Sequence, residues 1–141
     1  MIVLSSIVRE YSSFGDIIKS IDDTLTTLRQ QLAEYLRRLE DIRTKSEQEK
    51  KLKELLKRLT GEEPSTVGKI IDMREIKLFV NPDAEQEAKL LEEIIDRLNK
   101  NIQSLQSIRK ILEPLSNIEV ETKITVIYRE GLPVAIIMKI S

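Results

Sequence analysis

IKSIDDTLTTLRQQLAEYLRRLEDI, residues 18–42, decides the fold. Its apolar positions Ile18, Ile21, Leu25, Leu28, Leu32, Tyr35, Leu39 and Ile42 recur at alternating spacings of three and four. This is the a/d pattern of a coiled coil, so one seam of a long helix is predicted to pack on another helix. The start is marked by Ser13, whose hydroxyl can cap the helix while Asp16 answers as in a capping box. Beyond Ile42 the seam fails, because RTKSEQEKK (43–51) holds no apolar residue. With no Gly or Pro there, the helix is predicted to continue as a solvated stretch, a hinge being the alternative. A second apolar set, Leu52, Leu55, Leu56 and Leu59, is followed by Gly61, a residue suited to φ > 0 just past a helix end. The first helix therefore spans about residues 13–60, or ~68 Å at 1.5 Å per residue.

Asn81-Pro82-Asp83 reads as the start of a second helix, with Asn81 as cap and Pro82 in the first helical position. Its seam, Ala84, Ala88, Leu91, Ile95, Leu98, Ile102, Leu105 and Leu112, has Arg109 where an apolar residue would sit. This helix covers about residues 82–113, or ~48 Å, too short to cover the first end to end. After it, Ile118 to Arg129 alternates with period 2, Arg129 to Pro133 turns, and Val134, Ile136, Met138 and Ile140 alternate on the return, a β-hairpin over about 118–140. Ile76, Leu78 and Val80 read as a strand, Ile70, Ile71 and Met73 are apolar in another phase, which suggests a bulge or two shorter pieces, and Ile2 to Val8 read as a further strand. The predicted fold is α+β in one elongated domain, 1–141: two long helices in an antiparallel coiled-coil hairpin with a small antiparallel sheet, order β-α-β-α-β-β.

Composition narrows function by exclusion. The 141 residues include no Cys, His or Trp. Thiol, imidazole and soft-ligand metal chemistry are thereby removed. A net charge of −1 and only 5 aromatic residues disfavour whole-surface wrapping of nucleic acid and base stacking. No P-loop or Gly-x-Ser-x-Gly motif occurs. Glu92, Glu93 and Asp96 lie near one helical turn of each other, and Glu93 with Asp96 matches the Glu-x-x-Asp of all-helical nucleotide pyrophosphatases. Those enzymes pair it with Glu-x-x-Glu on another helix, which the first helix lacks, so a solvated acidic face is expected and no metal or cofactor.

Two charge runs carry more information. Arg43, Lys45, Lys50, Lys51, Lys53, Lys57 and Arg58 give residues 43–58 a net of +4, whereas residues 83–96 carry −5. A phosphate backbone could follow the basic run. An antiparallel helix pair would instead set it against the acidic run, which accounts for both at once.

The expected function is non-enzymatic: a coiled-coil oligomerisation or adaptor protein, self-associating as a homodimer or higher oligomer and scaffolding protein partners. The residues expected to carry association are Ile18, Ile21, Leu25, Leu28, Leu32, Leu39 and Ile42 of the first helix, with Leu91, Ile95, Leu98, Ile102 and Leu105 of the second. The chain also resembles prefoldin subunits in combining long helices with β-hairpins. There the hairpins lie between the helices, whereas here the clearest one follows the second. That resemblance implies a holdase, clamping unfolded clients at helix tips around residues 43–58; an accessory factor touching nucleic acid through that basic run is the other alternative. Residues 128–135 resemble the strand-turn-strand of roadblock-type regulatory domains, in a different order of elements. Without an apolar span or a signal segment, a cytoplasmic location is expected, and 20 Ile with dense opposite charges suits a thermophile.

Overall fold

A computed structural model describes residues 7–61, 69–119 and 123–139. The elements follow the order β1 (Val8–Tyr11), α1 (Phe14–Thr60), β2 (Lys69–Asp72), β3 (Lys77–Val80), α2 (Ala84–Leu112), a 3₁₀ turn (Glu113–Asn117), β4 (Ile124–Arg129) and β5 (Leu132–Ile137). This is the α+β class and the β-α-β-α-β-β order that the sequence predicts, with the two helices packed together. Contacts cluster into two compact units, Met1–Gln31 with Leu98–Ser141 (unit 1) and Leu32–Arg97 (unit 2).

α1 starts where Ser13 Oγ accepts the Asp16 amide at 3.1 Å and continues through 43–51 without a hinge. At its end Gly61 takes φ +72 and its amide reaches the Lys57 carbonyl at 2.8 Å, closing the helix with a left-handed residue that lacks the Cβ clash of other types. The start of α2 departs from expectation. Asp83, not Asn81, is the cap: Asp83 Oδ1 accepts the Gln86 amide at 2.8 Å and Gln86 Oε1 accepts the Asp83 amide at 3.2 Å. This reciprocal pair satisfies two terminal donors. Asn81 instead takes φ +46, turning the chain out of β3. Pro114 marks the other end, where the α-helix gives way to the 3₁₀ turn.

Unit 1 contains the three-stranded antiparallel sheet β1-β4-β5. β4 is shorter than the twelve-residue alternation implies, because Ile118 and Glu119 lie outside a strand and 120–122 fall outside the described residues, as do 1–6 and 140–141. Glu130 and Gly131, with φ +53 and +80, form a two-residue loop of the type that matches strand twist. The bulge lies at Ile127/Tyr128 rather than in 70–73, next to Pro133, which cannot donate to the ladder. The buried side chains of this unit come from Phe14, Ile17, Ile18, Ile21 and Leu25 of α1, Leu98, Ile102, Leu105 and Leu112 of α2, and Ile124 and Val126 of β4. Ile17 is completely buried, although it stands outside the predicted seam that Ile18 and Ile21 follow.

Unit 2 pairs the remainder of α1 with the first half of α2. Leu39, Ala88 and Ile95 form its buried cluster, with Leu32, Tyr35, Ile42 and Leu91 against it. Arg43 meets Glu92 while Glu49, further along α1, meets Ala84, earlier in α2, so the helices here are antiparallel. Of the two alternatives for the apolar residues around 70–80, a bulge or two shorter pieces, the structure shows two short strands, outside the larger sheet. β2 and β3 pair regularly as a separate two-stranded sheet, Lys69↔Val80 through Asp72↔Lys77.

Candidate protein-binding surface

The residues expected to drive self-association lie mostly inside the single chain. Ile18, Ile21, Leu25, Leu39, Ile95, Leu98, Ile102 and Leu105 are buried, and Leu28, Leu32, Ile42 and Leu91 are half-buried. Heptad spacing identifies a buried seam, and an antiparallel partner in the same chain satisfies it as well as a second chain does. A contact surface for other molecules has to be sought among the residues that the chain leaves open.

Those residues concentrate in unit 2. Leu52, Leu55 and Leu59 recur at i, i+3 and i+7, one face of α1, and are 52–74% exposed. Beside them, Leu52, Leu56 and Pro82 line an open groove of about 760 Å³, edged by Lys45, Lys53 and Asp83. β2–β3 adds a second apolar surface. Ile71 stands opposite Leu78, and Met73 donates its amide to the Ile76 carbonyl at 2.9 Å. With two-residue periodicity along each strand, Ile71, Met73, Ile76, Leu78 and Val80 share one sheet face. All five are exposed, by 38–68%. The turn beneath them is held locally: Arg74 takes φ +73 and donates its amide to Asp72 Oδ1 at 3.0 Å. An aspartate that accepts from the amide two residues on fixes such a turn.

The basic and acidic runs meet in unit 2. Arg43 Nη2 lies 2.9 Å from Glu92 Oε1, with both side chains about half exposed or more. Glu49 Oε2 accepts the Ala84 amide at 3.3 Å, placing a carboxylate at the positive end of α2. Together with Asp83, it satisfies donors that an anion would otherwise seek. Lys45 and Lys53 edge the groove near Glu49, Asp83 and Glu87, and Lys50, Lys51, Lys57 and Arg58 stand exposed on α1. Of the acidic trio on α2, Glu92 is engaged by Arg43, and among the described residues no cluster of three or more metal-ligating side chains occurs.

Unit 1 holds two polar features of another kind. Arg109, the break in the second seam, donates Nε to Asp22 Oδ1 at 2.5 Å and Nη2 to Oδ2 at 3.3 Å. The hydrogen bond and the charge of Asp22 raise the Arg109 pKa. The seam signals Arg109 by its mismatch, whereas Asp22, one step off the seam after Ile21, carries no comparable mark. The hydroxyls of Tyr11 and Tyr128 share a short hydrogen bond, and Tyr11 also reaches Ser20 Oγ at 3.3 Å. Burial, then the bond to Tyr11, pushes the Tyr128 phenol above its ordinary value.

No family model, curated protein or solved structure matches this chain. Among the described residues, no helix is long and apolar enough to cross a membrane.

Proposed function

We propose that this chain is a non-enzymatic coiled-coil assembly protein, a two-helix framework that self-associates and holds partner proteins through the apolar surface of unit 2. The observation that carries this reading is the arrangement of its open apolar side chains: one helix stripe (Leu52, Leu55, Leu59) and one sheet face (Ile71, Met73, Ile76, Leu78, Val80). Isolated exposed leucines are ordinary on a protein surface. Ordered apolar faces of this extent mark interaction sites. The seam residues then have the role of building the framework, while contact with other molecules passes to the open faces. Freedom from Cys accords with a cytoplasmic compartment, where thiols are kept reduced.

Light scattering across a concentration series tests the reading. Wild-type chain should exceed the 16.3 kDa monomer mass, and a Leu52→Glu/Leu55→Glu/Ile71→Glu/Leu78→Glu variant should return to it with its helical circular dichroism intact. A wild-type monomer at every concentration would falsify the proposal.

A holdase is the second reading, favoured by the β2–β3 hairpin itself. It follows the first helix and precedes the second in the chain, as hairpins do in prefoldin subunits, and the leucine stripe of α1 is interleaved with Lys51, Lys53 and Arg58. Such a stripe suits extended apolar segments, and its charges keep the loaded complex in solution. Suppression of aggregation of an unfolded test protein, lost in Leu55→Ser/Leu59→Ser, separates this reading from a passive scaffold.

A further inference from the structure

The C-terminal end of α1 runs on past its partner helix. α2 begins at Ala84, whose amide meets Glu49 Oε2, so with the helices antiparallel, residues 50–60 extend beyond the start of α2. This extension has two chemically distinct sides. At 3.6 residues per turn, Leu52, Leu55, Leu56 and Leu59 fall within an arc of about 100°, and they are 37–74% exposed. Lys53 borders the arc on one side, Lys51 and Arg58 border it on the other, and the one acid between residues 50 and 58, Glu54, lies on the reverse with Lys50.

We infer that this side of α1 docks on an anionic lipid surface, lying along the headgroup boundary with its leucines in the acyl region; the inference goes beyond the assembly reading, which the β2–β3 face can serve by itself. Charge selects the occupant. Residues 50–58 hold five cations against one acid, and those that border the leucines are all positive. An anionic surface is complementary to that border, and a second copy of the same stripe is not. The acids near by, Glu49, Asp83 and Glu87, gather at the first turn of α2, away from the Leu55–Leu59 border where Lys51 and Arg58 stand. Side-chain type separates lipid from protein. The contacts that dominate protein interfaces are enriched in Trp, Tyr and Arg and poor in Leu, whereas four leucines with no aromatic residue among them provide the apolar bulk that an acyl layer accepts. Lys51, Lys53 and Arg58 have apolar stems long enough to run beside the leucines and place their charges at the headgroup phosphates.

Co-sedimentation of the full chain with phosphatidylcholine vesicles, alone and with an equal share of phosphatidylglycerol, tests this docking. Wild type should bind the mixed vesicles at least ~10-fold more tightly than the neutral ones, and salt should weaken that binding. Leu55→Ser/Leu59→Ser should lower the affinity at least ~10-fold, and Lys51→Glu/Arg58→Glu should abolish the preference for phosphatidylglycerol, both with helical circular dichroism intact. Because the chain has no Trp, single substitutions report depth. Emission from Leu55→Trp should shift to the blue on mixed vesicles and be quenched by brominated lipid, and emission from Lys50→Trp, on the reverse, should do neither. Wild type that ignores both kinds of vesicle or binds them equally, or Leu55→Trp emission that stays unshifted, overturns the proposal; the first result leaves the stripe to a protein partner. Light scattering without lipid reads the assembly separately, so either reading can fail while the other stands.

Discussion

Unit 1 and unit 2 draw on the same two helices yet finish their cores differently. Among the described residues, eleven of the fifteen buried apolar side chains belong to unit 1, including Ile17, Leu105, Ile124 and Val126, the largest that are fully enclosed. Unit 2 contributes Leu39, Ala84, Ala88 and Ile95, two of them alanines, and leaves Leu52, Leu55 and Leu59 open with a whole face of β2–β3. The reason is geometric. Unit 1 adds a three-stranded sheet to its helix segments, and Ile124 and Val126 of β4 are completely buried. In unit 2 a two-stranded hairpin turns five apolar side chains outward. Unit 1 also leaves Val8, Val134 and Ile137 exposed, so the contrast lies in how much apolar surface each unit encloses.

Substitutions of equal chemistry should therefore diverge between the units. Leu105→Ala is expected to lower stability by about 3 kcal/mol, through lost transfer energy and the cavity left behind, whereas Leu55→Ala should change monomer stability by no more than about 0.5 kcal/mol. Denaturant titration of both at a protein concentration below dimerisation compares them directly. Equal losses would mean that unit 2 buries more than its exposed leucines indicate.

Alkaline pH should act on unit 1. The folded Tyr128 pKa lies above the unfolded value of about 10. Its contribution is complete below pH ~10 and is lost as pH rises toward the folded value, because the unfolded chain releases the proton first. Thermal melts from pH 9 upward should show falling stability in wild type, with a shallower fall in Tyr128→Phe.

Helix ends give the next effect. Asp83→Ala should destabilise unit 2 by about 1 kcal/mol by removing the cap to Gln86, and Asn81→Ala should not reproduce a cap loss. Hydrogen exchange at the Gln86 amide distinguishes the two. The smallest effect is expected at the seam break. The side chains of Arg109 and Asp22 are 36% and 46% exposed, and solvent screens most of the attraction of a pair so placed. Arg109→Leu completes the apolar seam and should leave the melting temperature close to wild type.

Legibility in the sequence followed the same division. The second seam, Ala84 to Leu112, could be read residue by residue because a helix packed along its length keeps its period. Ile17 and Phe14 are buried yet stand off the three-four seam, so spacing alone does not mark them. β2–β3 is only half legible: Ile71 and Leu78 stand three residues either side of a tight turn at Arg74 and Glu75, yet that turn lacks the Asn-Gly or Asp-Gly signal that marks such loops. Asp83 is the cap, whereas in the sequence Asn81-Pro82 offers a more familiar start. The contact surface was displaced for a physical reason. Spacing reports that Leu25 or Leu98 is buried, but only the fold shows which chain does the burying.

Amide hydrogen exchange across a dilution series tests the central contrast most directly. Residues 70–80 should gain protection as protein concentration rises through the dimerisation range, while β1, β4 and β5 hold theirs unchanged. Protection in 70–80 that is independent of concentration would contradict the view that self-association passes through the apolar surface of unit 2.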